Sequence, residues 1–307
     1  MMYVFLIVGF ILLIKGADFF VEGSSAAAKM LKIPPLIIGL TVVSLGTSMP
    51  EASVSISAAL AGKNELAVSN VLGSNIFNLM AVCGICALIS PLVINKETFK
   101  RDFPISIGAA ALLMGLGAIG MTVGRIDGII LLALFIGFLY LMVMSAKKAR
   151  QEVEDDYKTM PVWKLLIFII GGIAAIIIGG KMVVSGASDI ARTFGMSENL
   201  IGMTIVAIGT SLPELVTSVV AARKNEVDMA VGNVVGSNIF NILFILGAAS
   251  AICPVVFSME NLIDSIALII MSVLTMILCA KTKKLSRWNG GLMLAIYIAY
   301  SVYICMR

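Results

Sequence analysis

Two stretches of this sequence place an acid inside an otherwise apolar run. Residues 39–51 read GLTVVSLGTSMPE and residues 202–214 read GMTIVAIGTSLPE, each ending on a glutamate. In the first, Ser44, Thr47, Ser48, Glu51 and Ser55 recur at spacings of three and four, which lines them along one face of a helix. The second repeats the stripe with Thr210, Ser211, Glu214 and Ser218, and Ala207 stands where Ser44 stood. A carboxylate at mid-bilayer costs roughly 2.5–3.5 kcal/mol on insertion scales, so two at matching depth require something to offset them. Carboxylates with neighbouring hydroxyl and amide oxygens, and no thiolate or imidazole, make a hard-cation site suited to Ca²⁺, Na⁺ or Mg²⁺. The plainer alternative is a protonated glutamate bonding helix to helix, and duplication of the whole neighbourhood argues against it.

Pro50 and Pro213 precede the two glutamates and have no N–H for the carbonyls of Gly46 and Gly209. A helix broken at membrane depth is tolerated where it lines a cavity, and its freed carbonyls are hard oxygen ligands. Downstream, NVLGSNIFN (70–78) and NVVGSNIFN (233–241) add Asn70, Ser74 and Asn78, and Asn233, Ser237 and Asn241, at spacings of four. Gly73 and Gly236 are expected to let these helices approach closely. Asn70 and Asn233 read equally well as interhelical bonds or ion contacts. Asn75 and Asn238 point about 100° from the stripe and read as structural.

The elements that must hold these residues follow from composition. The chain has 307 residues, 60% hydrophobic and 13% charged, with a net charge of +4. A typical soluble chain is about 45–50% apolar and about 25% charged, so the solvent here is lipid, and nucleic-acid binding and a disulfide-framework protein are excluded. Histidine is absent, which removes the commonest general base and zinc ligand and makes hydrolytic chemistry, or any enzyme, a poor reading. The five cysteines are expected in the core, and the lone pair Cys83 and Cys86 lacks a second CxxC for a metal. Apolar runs predict an all-α integral membrane protein of about ten spans: 2–30, 35–62, 66–90, 103–121, 126–147, 161–192, 198–222, 228–252, 262–280 and 288–306. The first lacks the basic start of a signal peptide.

The two motif pairs align without a gap at an offset of 163 residues, with about half of positions 39–80 identical to their partners. Five spans per copy is an odd number, so the copies enter the membrane from opposite sides. The expected organisation is a first five-helix repeat (1–146), a hydrophilic linker (147–160) and a second, inverted repeat (161–307). Basic residues cluster in alternate loops, at Lys29 and Lys32, Lys96 to Arg101, Lys147 to Lys158, Arg223 and Lys224, and Lys281 to Arg287. The opposite loops keep only Lys63, Arg125, Arg192 and Arg307, so both termini are expected outside a plasma membrane, with the linker in the cytoplasm. Asp18, Glu22, Asp127 and Asp189 read as interfacial or structural.

At G-T-S-x-P-E, twice, and G-S-N-I-F-N, twice, the chain resembles the calcium/cation antiporter superfamily, specifically the prokaryotic sodium/calcium exchangers. The resemblance implies an ion-holding core of spans 2–5 and 7–10, with spans 1 and 6 sliding across it. It implies Ca²⁺ ligands at Glu51, Glu214 and the carbonyls of Thr47 and Thr210. Flanking Na⁺ sites are implied at Ser48, Ser74, Ser211, Ser237 and the carbonyls of Ser44 and Ala207, with Asn78 and Asn241 between the glutamates. Potassium-dependent relatives have Asp at the position of Asn241, and the neutral residue here implies potassium independence. Proton-coupled relatives carry G-N-x-x-E instead, so sodium coupling is favoured over proton/calcium antiport, although a buried carboxyl can carry a proton in place of a cation. A passive pore is the remaining reading from another class. The expected partners are calcium and sodium ions and the bilayer, with no cofactor, no nucleic acid and no obligate protein partner.

Overall fold

Backbone polar groups in lipid must be satisfied within the segment that carries them, and helices do this. The computed structural model, which describes residues 2–61, 65–150, 160–196, 205 and 207–306, is accordingly built from helices. In chain order they are α1 (Met2–Leu31), α2 (Pro35–Thr47), α3 (Met49–Leu60), α4 (Leu66–Ile89), α5 (Phe103–Ala118) and α6 (Arg125–Ala149). There follow α7 (Val162–Thr193), α8 (Ala207–Thr210), α9 (Leu212–Arg223), α10 (Val227–Ile252), α11 (Met259–Ala280) and α12 (Arg287–Met306). Among the described residues seven of these are long and apolar enough to cross a membrane, and the bent α2–α3 pair makes an eighth if taken as one span. The run expected at 103–121 is α5, short at 16 residues but preceded by a π-helical turn over Thr98–Asp102. The run expected at 198–222 is covered in its second part by α8 and α9. Lys63, Lys158, Gly202, Arg307 and residues 151–159 of the linker lie outside the described residues.

The two longest helices, α1 with 30 residues and α7 with 32, run antiparallel against each other. Gly9 faces Gly179 and Gly16 faces Gly172; a Cβ added at Gly9 or at Gly172 would lie 2.9 Å from the facing carbonyl oxygen, so only glycine admits this approach. Residues 9 and 172, and 16 and 179, are themselves 163 apart, so the contact is reciprocal. The same offset relates the starts of α11 and of the π-turn before α5. Ser258 Oγ accepts from Asn261 N at 3.3 Å, and Asn95 Oδ1 accepts from Thr98 N at 2.8 Å. A π-turn holds one residue more than an α-turn. Past Thr98–Asp102 the correspondence therefore becomes 162, pairing Met121 (φ 53°) with Lys283 (φ 50°) in the tight turns before α6 and α12.

Among the described residues, four two-residue strands tie the early and late parts of the chain together. β1 (Leu92–Val93) pairs antiparallel with β4 (Lys284–Leu285), and β2 (Thr122–Val123) with β3 (Val255–Val256). Because β1 and β2 lie at opposite ends of α5, one pair closes each end of the bundle. α4 and α10 occupy the centre, with 78% of their most apolar window buried, against 22% in α6 and α7. Cys83, Cys86 and Cys279 are in this core as expected. Cys305 is not: it is exposed on the outermost helix, α12, whose apolar outer face suits lipid and needs no protein cover.

Candidate ion-binding site

The two G-T-S-x-P-E motifs break their helices at the same place. Ser48 leaves helical geometry (φ −83°, ψ 9°), Pro50 sits in the first turn of α3, and α2 and α3 meet at a 50° bend. Ser211 (φ −94°, ψ 7°) and Pro213 do the same between α8 and α9. Each break leaves a glutamate in the first turn of the following helix, where the exposed N–H groups and the helix dipole favour negative charge. The motif glycines fit the longest helices against the breaks. A Cβ on Gly46 would lie 3.0 Å from Phe20 and Ile173, and one on Gly209 would lie 2.1 Å from Val184.

Glu51 and Glu214 are both fully buried, so in this conformation the carboxylates are shut off from either face. Their hydroxyl partners cross between the motifs. Ser48 Oγ donates to Glu214 Oε1 at 2.7 Å, and Ser211 Oγ donates to Glu51 Oε1 at 2.8 Å. Ser74 Oγ lies 3.4 Å from Glu51 Oε1 and 3.1 Å from Ser211 Oγ. Each hydrogen bond to a charged group is worth about 1.5–3 kcal/mol, far short of what ionising two carboxylates in one dry site requires. The shortfall is visible atom by atom: among the described residues, Glu51 Oε2, Glu214 Oε2, Asn78 Oδ1, Asn241 Oδ1, Ser237 Oγ and Thr217 Oγ1 are all buried without a hydrogen-bond partner. Six oxygens of this kind, two of them carboxylate, match the hard ligands that Ca²⁺ and Na⁺ take.

Of the residues expected from sequence, hydrogen bonds join Glu51, Ser74 and Ser211 into one group and Glu214 and Ser48 into another. Thr47 Oγ1 donates to Asn233 Oδ1 at 3.0 Å, and Asn233 Nδ2 donates to Ser218 Oγ at 2.9 Å and reaches the Glu214 carbonyl at 3.4 Å. Asn70 Nδ2 donates to Ser55 Oγ at 3.0 Å. The Asn70 and Asn233 amides therefore tie helices together. Ser44 is buried and donates to the Thr41 carbonyl at 3.2 Å. Thr210 ends α8, half-buried, and Ala207 begins it. A Cβ added at Gly236 would lie 2.8 Å from Leu40 and Ser44, as its expected role requires, whereas one added at Gly73 would meet nothing within 4 Å among the described residues. By the 163 offset, the counterpart of Leu40 is residue 203, outside them.

One residue was not expected from the sequence, and one pair expected to be structural shows its contacts. Thr217, three residues after Glu214, completes the stripe on α9, and its i+3 spacing was the available signal. Asn75 and Asn238 face each other at the centre, Asn75 Nδ2 donating to the Asn238 carbonyl and Asn238 Nδ2 to the Asn75 carbonyl, both at 3.1 Å. The expected interfacial acids have structural partners: Asp127 Oδ2 accepts from Gly124 N, Asp189 pairs with Arg192, and Asp18 and Glu22 approach Lys224.

Comparison with known proteins fits this geometry. The sequence model of the family described as sodium/calcium exchanger protein matches residues 1–144 and 164–306. The chain is 40% identical to inner membrane protein YrbG of Escherichia coli, over 81% of this chain and 79% of that one. It is 30% identical to the sodium/calcium exchanger MaX1 of Methanosarcina acetivorans, over 98% of both. Solved structures of the sodium-calcium exchanger NCX_Mj superpose with a TM-score of 0.86 at 34% identity, covering 97% of this chain and 96% of that one. With the family matched along nearly the whole chain and the fold matched over the same extent, the protein is a multi-pass membrane cation/calcium exchanger and belongs to the sodium/calcium exchanger family.

Proposed function

We propose that the protein exchanges sodium for calcium by alternating access, electrogenically and without potassium. The observation that carries this reading is the pair of crossed Ser–Glu contacts, each leaving one buried carboxylate oxygen without a donor. Two glutamates neutralise one Ca²⁺, or share their charge among several Na⁺ with help from hydroxyls, and competition for one set of oxygens yields exchange. A site that is costly to leave empty opposes an ion-free crossing and so enforces antiport.

In this reading Glu51, Glu214 and the carbonyls of Thr47 and Thr210 hold Ca²⁺. Ser48, Ser74, Ser211, Ser237 and the carbonyls of Ser44 and Ala207 contribute to flanking Na⁺ sites, with Asn78 and Asn241 between them. The neutral Asn241 supports potassium independence. Moving about three Na⁺ per Ca²⁺ transfers one net charge, so about 100 mV contributes roughly 2.3 kcal/mol to extrusion. The architecture in this reading is ten spans in two inverted five-helix repeats, 1–146 and 161–307, joined by the 147–160 linker. The reciprocal α1–α7 contact and the shared 163-residue offset support it. The basic loops support a plasma-membrane location with both termini outside.

The test is calcium uptake by the purified chain in sodium-loaded liposomes diluted into sodium-free medium, with potassium-loaded and proton-gradient controls and the membrane potential clamped or released. Uptake that needs internal Na⁺ and grows with an inside-positive potential is the expected result. Uptake driven by a proton gradient alone overturns sodium coupling, and currents far above a transporter's turnover overturn antiport.

A further inference from the structure

We propose that Asn75 and Asn238 are positioning residues, turning the carboxamides of Asn241 and Asn78 so that each offers its oxygen, and not its NH₂, to the cation between Glu51 and Glu214. This rests on reading the buried polar centre as the ion site. A carboxamide is neutral and presents a donor on one side and an acceptor on the other, so its value as a cation ligand depends entirely on its rotation. A carboxylate needs no such control, because both of its oxygens accept.

The geometry supplies that control. Asn75 and Asn238 each commit their NH₂ to the other's backbone carbonyl at 3.1 Å. Only a donor can face a carbonyl, so these contacts fix which end of each amide is oxygen. Each residue is left with one Oδ1 as a fixed acceptor. Asn75 Oδ1 accepts from Asn241 Nδ2 at 3.0 Å, which uses the Asn241 amino group and leaves Asn241 Oδ1 buried and without a donor. Flipping that amide would set two oxygens against each other at Asn75 and turn an N–H toward the cation, so both ends of the side chain oppose it.

The counterpart contact, 163 residues away, is not made in this conformation. Among the described residues, Asn238 Oδ1 is buried without a donor, and Asn78 Nδ2 and Oδ1 are both buried without partners. Asn238 is 2% exposed and Asn75, Asn78 and Asn241 are fully buried, so none of them faces bulk solvent. Only the Asn75–Asn241 contact is formed in this conformation, and the role of Asn238 toward Asn78 is carried over from it by the internal repeat.

The experiment is a pair of double-mutant cycles in the full chain, Asn75→Ala with Asn241→Ala and Asn238→Ala with Asn78→Ala. Two readouts apply: the half-saturating Ca²⁺ for exchange against the maximal rate, and the Ca²⁺-dependent rise in the thermal unfolding midpoint. Asn75→Ala is expected to raise half-saturating Ca²⁺ about fivefold or more while Asn241 is present, and to add nothing once Asn241 is alanine. An equal loss in both backgrounds overturns the proposal and leaves Asn75 a purely structural tie. Where Asn75→Ala does not fold, Asn75→Asp keeps an acceptor toward Asn241. Asn241→Ala must then still weaken Ca²⁺ binding as it does in the native chain, and loss of that effect overturns the positioning role. Absence of sodium-dependent uptake by the unaltered chain defeats the exchange reading alone, since the Ca²⁺-dependent unfolding shift still reads the cycles.

Discussion

Ser48 bonds Glu214 and Ser211 bonds Glu51, so each motif serves the other's carboxylate, and Glu51 has in addition Ser74 Oγ at 3.4 Å. The turn between α9 and α10 departs further from its counterpart in sequence. There Lys224 Nζ lies 3.0 Å from Asp18 Oδ1 and 3.8 Å from Glu22 Oε2, and Ser25 Oγ donates to Glu226 Oε1 at 2.5 Å, binding the end of α1 to the core. A cavity of about 460 Å³ opens beside these groups, lined by Glu22, Ser25, Lys29, Lys224 and Glu226. At the corresponding places on α7 stand Lys181, Ser185 and Ser188, and Lys224 is matched by Ala61. The duplication is close at the two G-T-S-x-P-E motifs, with Ala207 for Ser44 and Thr217 for Val54 as departures. It is relaxed where a long helix meets one face or the other.

The sharpest way to break this comparison is at the carboxylates. Glu51→Gln and Glu214→Gln are each expected to abolish calcium exchange while the chain still folds, judged by its size-exclusion profile; normal exchange in either variant removes the central claim. Next in size are Ser48→Ala and Ser211→Ala. Each loses a buried hydrogen bond to a carboxylate, so half-saturating Ca²⁺ should rise about tenfold, and by matching factors in the two variants. A tenfold change in one and none in the other would show that the crossed contacts are not equivalent.

Acid should act on both carboxylates at once. Protons and Ca²⁺ compete for the same oxygens, so half-saturating Ca²⁺ should rise as pH falls, and a flat profile between about pH 5 and 8 would contradict shared ligation. The smallest effect is expected at Lys224→Ala. Its ion pairs are half-exposed and contribute about 0–1 kcal/mol, so the ratio of apparent Ca²⁺ affinities at the two faces should shift by about fivefold at most. An equal change at both faces would mean that the asymmetric tie to α1 does not distinguish them.

Much of the site could be read from spacing, because a helix places residues three and four apart on one face. Glu51 and Glu214 with their serines and threonines came from that rule, and the duplication set them at matching depth. Which motif serves which carboxylate could not be read so. Ser48 sits three residues from Glu51 and bonds Glu214, a choice fixed by how the two broken helices cross. Asn75 was correctly placed off the stripe, but its contacts with Asn238 and Asn241 involve residues more than 160 positions away. The fold followed the same pattern. Apolar runs marked the long helices, while the π-turn at Thr98–Asp102, which moves the internal offset from 163 to 162, depends on packing and has no local signature.

The strand pairs carry a consequence for the order in which the chain is made. β1 and β2 emerge with the first 123 residues, yet their partners are residues 284–285 and 255–256. Through most of synthesis both strand edges wait unpaired. Because each pair closes a different end of the bundle, neither end is sealed until the last fifth of the chain arrives. The early helices can enter the bilayer alone, but the late ones complete them, so the two parts of the chain mature as one unit.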